Sequence, residues 1–406
     1  MIDHNKLAEK WRILASVGPK TKGPRKENPL MKPPDWYDPV RFRKSQEISR
    51  KYFLSLNIAH FIGNILLVHL PDVLVPVVAS GNSASPSRVF FRILSTINHI
   101  LSWYDDDPFD SRTKTHQSLT RVRRNCHMAV SKLMNEKYPR KNRLWLSQFD
   151  MAMTQWSLIG IVAIRPIECG FHGCTREEFE EFFYFWKVMG HCVGLEDRFN
   201  ICYGLDGFDE TKEFLQICFD KCYKVHLDEQ SVPVLIGMDL TKGVFLALES
   251  VIPRILFSFE GFMKIWYDTL GVRHSIVLDR WLTKISYESN RFVFKYLLRF
   301  RLIYTIISWL FFWSIQMLFK QKQYIDAYCE RNYPTIKYSV DSEYFNRIDN
   351  DSSMIDDDHL DGDDRESKPP NHSKSIDSNR SKIIEHIGTE TKQIYEIQNY
   401  FYIPHF

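Results

Sequence analysis

The sequence predicts an all-α fold, specifically a multi-helix bundle. Apolar residues recur with helical spacing over about 42–70. A Ser-Pro pair at 85–86 and two capping boxes, which begin at Ser147 and Thr175, mark three further helix starts. Strand signals, meaning alternating β-branched runs bounded by Asn-Gly or Asp-Gly turns, are nearly absent. With 406 residues, of which 44% are apolar, the chain can bury a core larger than that of one small domain.

The N-terminal part divides into a lead-in and a helical domain. Residues 1–34 are basic and rich in proline, which predicts a flexible lead-in. The helical domain is expected over 35–300. Its first helix, at about 42–70, becomes almost continuously apolar before Pro71 ends it, which indicates a buried helix or one that lies on a membrane. Further helices are expected from 86 through about 100, from Ser147 to about Ile164 and from Thr175 to about Cys192.

Residues 302–319 form a run of eighteen residues without a charge, and basic residues flank the run on both sides. At about 1.5 Å per residue an α-helix of this length spans about 27 Å, just enough for a hydrocarbon core of about 30 Å. The run therefore predicts a transmembrane helix, with a fully buried core helix as the alternative. Basic residues on both flanks leave the orientation open.

The C-terminal part is polar. Between Asp341 and Glu366 eleven acidic residues face two arginines, a local net charge of −9. Residues 340–382 are expected to be a disordered acidic and polar tail, and 383–406 are a candidate short amphipathic helix. Because the whole chain carries +3, the remainder carries +12. A basic body can favour an anionic membrane surface, but no basic run alternates with aromatic residues, so no nucleic-acid partner is expected.

Cysteine usage and the N-terminal sequence narrow the class further. Eight cysteines in 406 residues are too few for a disulfide framework, and no two pairs have the spacing of a zinc site. The first thirty residues contain no apolar run of seven or more, so no cleavable signal peptide is expected. The motifs of zincins, P-loop proteins, α/β-hydrolases and Rossmann folds are absent from the sequence, as are Glu-x-x-His and the c-type haem motif.

His127 is the candidate metal ligand that remains. It lies within a predicted helix, with Arg123 and Arg124 at i−4 and i−3 and therefore on the same predicted face. A histidine on a helix can ligate haem iron, and neighbouring guanidinium groups can neutralise the propionates. Taken alone, a single helical histidine is more often packed or solvated than a ligand. Arg92 and Thr96, at i and i+4, form a second polar pair on an otherwise apolar helix.

Four blocks of sequence, in this order and spacing, resemble the ER-bound oxygenase MpaB / rubber oxygenase catalytic-domain family, to which the latex-clearing proteins belong. The resemblance covers about 34–223. The blocks are PDWYD at 34–38 with KSQ at 44–46, RILST at 92–96, RVRRNCHMAV at 121–130, and QFDMAMTQ at 148–155, the last continued by FWKVMG at 185–190 and GLEDRFN at 194–200.

The resemblance implies an all-α fold with a buried pocket for a non-covalent haem b. His127 would be the proximal ligand, and Arg92 and Thr96 would lie near the pocket. Arg123 and Arg124 would support the haem, and Arg198 would reach a propionate, with a helix-end salt-bridge network as the alternative role of Arg198. Enzymes of this family cleave carbon–carbon double bonds of polyisoprenoid or farnesyl chains with O2, which predicts a hydrophobic substrate and a membrane location in the endoplasmic reticulum.

The chain departs from the latex-clearing pattern at two positions. Ser95 stands where those proteins have a lysine before the threonine, and no glutamate precedes Arg92 at the expected place; Asp72 is the nearest acid. The resemblance, together with the apolar run at 302–319, nevertheless implies a membrane-associated haem oxygenase. Two alternatives stay open: a non-catalytic haem or lipid binder that keeps the fold, and a helical membrane scaffold in which His127 is merely packed.

Overall fold

Helices make up the regular structure of residues 2–81, 83–229 and 232–338, which are the residues that the computed structural model describes. Within them the sole β feature is an isolated bridge between Lys22 and Ser147, which confirms the all-α prediction. The helices are α1 His4–Val17, α2 Pro39–Lys51, α3 Phe53–Leu67, α4 Pro71–Ala79, α5 Pro86–Trp103, α6 Lys114–Arg121, α7 Ala129–Lys137, α8 Gln148–Ile164, α9 Arg176–Val193, α10 Gly207–Cys218, α11 Val225–Glu229, α12 Val232–Leu248, α13 Phe259–Leu270, α14 Trp281–Lys295, α15 Arg301–Lys320 and α16 Lys322–Asn332.

The predicted helix starts follow from local capping chemistry. Ser147 and Thr175 each form a complete capping box, in which the side chains of Asp150 and Glu178 return a hydrogen bond to the cap backbone. Helix α8 ends at Ile164 as predicted, and α9 ends at Val193 against Gly194, which adopts φ +109°. Proline at its first position sets the start of α5.

The prediction of a flexible lead-in over residues 1–34 is wrong. Residues 4–17 form α1, which Asp3 caps by accepting a hydrogen bond from the Lys6 backbone N–H. Leu7 and Leu14, seven positions apart and hence on one helix face, are both fully buried against the core. The prolines that suggested flexibility lie after this helix, where Pro19 and Pro24 are buried.

The helix predicted over 42–70 is divided into two. Tyr52 leaves helical geometry between α2 and α3, and Pro71 begins α4 instead of only ending its predecessor, so that α3 and α4 meet at 88°. Helix α3 is buried along most of its length and crosses α8 where Gly63 faces Ser157. Proline at the first turn of a helix loses no hydrogen bond, which explains why Pro71 fits there.

Helices α3, α8 and α9 form the centre of the core. Trp156 on α8 and Trp186 on α9 are 0% and 2% exposed. The indole N–H of Trp156 donates to the carbonyl of Leu215 at 2.8 Å, and the ring packs 4.2 Å from that of Tyr223. These contacts fix the relative positions of the helices that surround the candidate site.

Residues 302–319 are predicted to form a transmembrane helix or, alternatively, a buried core helix, and the structure excludes the core helix. Helix α15 is long and apolar enough to cross a membrane, but only Ile315 of it is buried, so it is not a core helix. The predictions of an acidic tail over 340–382 and a short helix over 383–406 lie outside the described residues.

Candidate functional site

His127 lies in a π-helical segment, Val122–Met128, which joins α6 to α7. A π-helical turn has i→i+5 hydrogen bonds and is wider than an α-helical turn, and such turns are frequent at functional sites. His127 therefore lies within a helix as predicted, but the face predicted for Arg123, Arg124 and His127 assumed α-helical spacing, which this segment does not have. No residue type in 122–128 announces the change, because a π-turn is stabilised by the packing around it.

The imidazole of His127 is neutral at physiological pH. Burial lowers its pKa to about 4, and the nearby Arg123 guanidinium lowers it in the same direction, whereas the backbone carbonyl of Val193 acts against them. Its Nδ1 is buried and has no hydrogen-bond partner among the described residues. A neutral imidazole is the form that binds a metal ion, and a histidine ligand normally donates its other N–H to a carbonyl or carboxylate. The Val193 carbonyl is the available acceptor.

The two arginines before His127 do not share one environment. Arg123 is buried, and its Nη2 lies 2.7 Å and 2.8 Å from the carbonyl oxygens of Arg25 and Glu27. Arg124 is exposed. In a π-helical turn the residue three positions earlier moves off the face of His127, which is why these arginines diverge. Arg123 therefore holds the N-terminal segment against the site by donating hydrogen bonds to two of its carbonyl oxygens.

Arg92 and Thr96 lie on α5. Arg92 Nη1 donates to the Val77 carbonyl at 2.9 Å and to the Ser80 hydroxyl at 2.8 Å, so it caps the C-terminal end of α4. The Thr96 hydroxyl donates to the Arg92 carbonyl at 3.0 Å, and its side chain is exposed. The hydroxyl oxygen keeps its capacity to accept a hydrogen bond from a ligand.

Helix α5 packs against α6, the helix that leads into the π-helical segment. The guanidinium of Arg92 and the thiol of Cys126, the residue before His127, are close enough to interact electrostatically. Burial raises the pKa of Cys126 to about 11, so the thiol stays protonated at neutral pH. This interaction relates Arg92 to the segment that carries His127.

Arg198 forms its contacts with residues other than His127, Arg92 and Cys126. It is half-exposed and pairs with Glu196 at 2.8 Å, and its guanidinium lies 4.5 Å from the centre of the Phe199 ring. These contacts favour the helix-end network that was the alternative role of Arg198. Asp197 beside it accepts from the Trp36 indole at 2.9 Å, so the polar cluster at 194–200 ties α9 to the N-terminal segment.

A buried ion-pair network near α4 was missed by sequence reasoning. Asp72 Oδ1 pairs with Arg140 Nη1 at 2.6 Å, and Asp72 also pairs with Arg143. Burial alone would raise the pKa of Asp72, but Arg143 and Arg140 outweigh it and hold the pKa below its usual value. Asp72, the nearest acid upstream of Arg92, is thus a paired carboxylate. The sequence around Asp72 does not indicate this pairing, because Arg140 and Arg143 lie 68 and 71 positions away along the chain.

Four histidines should make the protein less stable in mild acid. Burial lowers the pKa of His60 to about 3 and those of His69, His99 and His127 to about 4, against about 6.5 when unfolded. Because the unfolded chain then binds more protons, the stability present above pH 6.5 is lost as the pH falls toward 4, at up to about 1.4 kcal/mol per pH unit for each histidine.

Urea unfolding of the haem-free protein at a series of pH values between 7.5 and 5 measures this loss. The midpoint should fall while the urea dependence stays constant. Burial and the Asp72 carboxylate raise the pKa of Asp150 to about 6, so Asp150 has the opposite effect on the pH dependence. It is one group against four histidines. An unchanged midpoint over this range would contradict the prediction.

Comparisons with known proteins give one structural match. No protein-family model matches the chain, and no curated protein matches it in sequence. A solved structure of latex clearing protein, LCP, in its closed state is similar to the chain with a TM-score of 0.49 and 14% sequence identity. The match covers 72% of this chain and 80% of that one.

Proposed function

We propose that this protein is a haem-dependent, membrane-associated oxygenase, which uses O2 to oxidise or cleave a carbon–carbon double bond of a hydrophobic, isoprenoid or lipid-like substrate. The observation that supports it most directly is His127, a neutral imidazole with a buried, unpartnered Nδ1 in a π-helical segment. The ordered sequence blocks at 34–200, which resemble the rubber oxygenase catalytic-domain family, supply the reaction class.

The residues present fit a non-covalent haem b at His127. A single histidine side chain is sufficient as the protein ligand of a non-covalent haem. His127 would hold the iron, and the Val193 carbonyl would accept the remaining imidazole N–H and so fix the tautomer. When bound, haem would supply a redox-active iron that reacts with O2.

The other polar groups would shape the surroundings of that iron. Arg92, held by the carbonyl of Val77 and by Ser80, would place a fixed positive charge beside the segment of His127. Thr96 would offer its hydroxyl as an acceptor. Because Ser95 replaces the lysine of the latex-clearing pattern, no side chain at this position would compete with O2 for the iron. Arg123 and Arg124 would contribute positive charge.

We also propose that the protein lies at the membrane of the endoplasmic reticulum.

A second candidate function is non-catalytic haem or lipid binding by the same fold. The state of Asp72 favours it, because the acid nearest to Arg92 upstream is engaged by Arg140 and Arg143 and so is not a free base. Such a protein would bind haem without turning over substrate.

Absorption spectra and oxygen uptake distinguish these functions. Detergent-purified protein, reconstituted with haem b, is examined in its ferric, dithionite-reduced and CO-bound states. Oxygen uptake and carbonyl products are then measured with polyisoprenoid and farnesyl substrates. Haem near one per chain with substrate-dependent oxygen uptake supports the oxygenase. Haem without uptake supports the binder, and a chain that takes up no haem contradicts both haem proposals.

A further inference from the structure

Helix α15 exposes an apolar stripe along one face. Leu302, Ile306, Trp309, Leu310 and Trp313 are 74%, 49%, 64%, 47% and 54% exposed. Their spacing of four, three, one and three residues places them together on one side of the helix. Isolated exposed apolar residues are common on soluble proteins, but a contiguous stripe with two tryptophans is not. We call these five residues the α15 stripe.

The opposite face of α15 packs on the body. The Tyr304 hydroxyl contacts the backbone N–H and the hydroxyl of Ser55 on α3, each at 3.2 Å. Further along, Ile315 is 3% exposed, and Phe311 and Leu318 pack against the core. Residues 304, 311, 315 and 318 recur at helical spacing, so α15 lies against the body over about 21 Å of its length.

Both ends of α15 are attached to the same body. Just before it, Leu298 is buried and lies against Gly170. Just after it, α16 packs on α5 and α12, with Ile325 and Cys329 buried. A helix that crosses a bilayer separates its two ends by a hydrocarbon core of about 30 Å, which these attachments do not permit while the fold stays intact.

The residues around the α15 stripe are positively charged. Residues 280–322 contain eight basic residues and one acidic residue, a net charge of +7. Lys295, Arg299 and Arg301 before the stripe and Lys320 and Lys322 after it are all exposed. Basic residues beside tryptophan and leucine are typical of helices that lie in the interface of a membrane with anionic lipids, where each cation near the surface contributes about 1 kcal/mol.

We propose that α15 docks the protein onto an anionic membrane surface and lies in the plane of the interface, with the α15 stripe inserted, so that it does not cross the bilayer. This inference rests on the membrane association proposed above and is independent of haem binding. The body stays on one side of the membrane, and the sequence prediction of a transmembrane helix over 302–319 is replaced by an in-plane helix.

Vesicle flotation tests the docking. Protein is mixed with phosphatidylcholine vesicles containing about a third phosphatidylserine, or none, and is followed by protein staining, so that a failure to bind haem does not affect the result. Wild type should float with the anionic vesicles, less so at high salt, and W309E/W313E should lose at least about tenfold in binding. M31E/V40E is the matched control, because Met31 and Val40 are 80% and 78% exposed elsewhere on the surface; it should float like wild type. No flotation of wild type, or equal flotation of both variants, overturns the proposal.

A cysteine-labelling experiment tests the topology. S275C and Q323C place exposed thiols before and after α15. Each variant is expressed in cells, and sealed membrane vesicles are prepared from them. The unsubstituted chain gives the background labelling of the native cysteines. For an in-plane helix, an impermeant maleimide should label the two thiols to the same extent, both before and after detergent is added. Reaction of one site only overturns the in-plane arrangement. Sedimentation of the lipid-free protein tests whether a second copy of the chain covers the α15 stripe instead. A stable dimer that W309E disrupts, without vesicle binding, would assign the stripe to a dimer interface.

Discussion

Haem content should fall from about one per chain to near zero in H127A. His127 is the single side chain in the resembling blocks that offers iron a neutral imidazole, and burial keeps its pKa at about 4, so it binds without first losing a proton. Loss of a group that only hydrogen-bonds a metal ligand weakens metal binding about 10–100-fold, so loss of the ligand itself should cost more than about 100-fold. The measurement is the Soret absorbance per chain after reconstitution and gel filtration.

His172 provides the matched control for H127A. It is also half-buried, but its Nε2 is hydrogen-bonded to the Phe294 carbonyl at 3.1 Å, and it lies on the turn before α9. H172A should keep its haem. H127G adds a test of the role, because exogenous imidazole should restore its Soret band if His127 is a ligand and should not if His127 only supports the fold. Full haem content in H127A would contradict the assignment.

G63A should unfold the protein or lower its stability by about 3 kcal/mol or more. A Cβ atom at Gly63 would overlap the carbonyl oxygen of Ser157 and lie 2.6 Å from its carbonyl carbon, where α3 crosses α8. These are backbone atoms of a central helix, so no side-chain rotation can relieve the overlap. The intrinsic preference of a helix for alanine over glycine, about 1 kcal/mol, acts in the opposite direction and is smaller.

G243A is the matched control for G63A, since Gly243 also lies within a helix, α12. Its added Cβ would meet the tip of the Tyr338 side chain, with the hydroxyl oxygen 2.5 Å away, and a side-chain tip can move. Urea unfolding should show G243A within about 1 kcal/mol of wild type. Equal stabilities of G63A and G243A would show that α3 and α8 tolerate separation at their crossing.

Those features of the fold that depend on local chemistry could be predicted from the sequence. The capping boxes at Ser147 and Thr175 fix two helix starts because the bonds involved span only three residues. The order of α1 could not be predicted in this way, because Leu7 and Leu14 are buried by contacts with residues far along the chain. Proline content indicated disorder for the segment, and tertiary packing outweighed it.

The same distinction applies to the candidate site. His127 and Arg92 could be selected from their residue types together with the family resemblance, and Arg92 interacts electrostatically with Cys126, the residue before His127. The separate environments of Arg123 and Arg124 could not be foreseen, because a helical wheel of 3.6 residues per turn puts both on the face of His127 and the chain there forms a π-helix. The ion pairs of Asp72 connect residues too distant in sequence for any local pattern to indicate them.

The π-helical segment also has an evolutionary consequence. A π-turn inside an α-helix corresponds to the insertion of one residue, so the geometry at His127 depends on the length of 122–128 as much as on its residues. Deletion of one residue there would restore an α-helix and rotate α7 by about 100°, turning Val130 and Met134 away from the core that buries them. Homologues that keep the site should therefore keep the extra residue, and those that have lost it should also have lost the histidine.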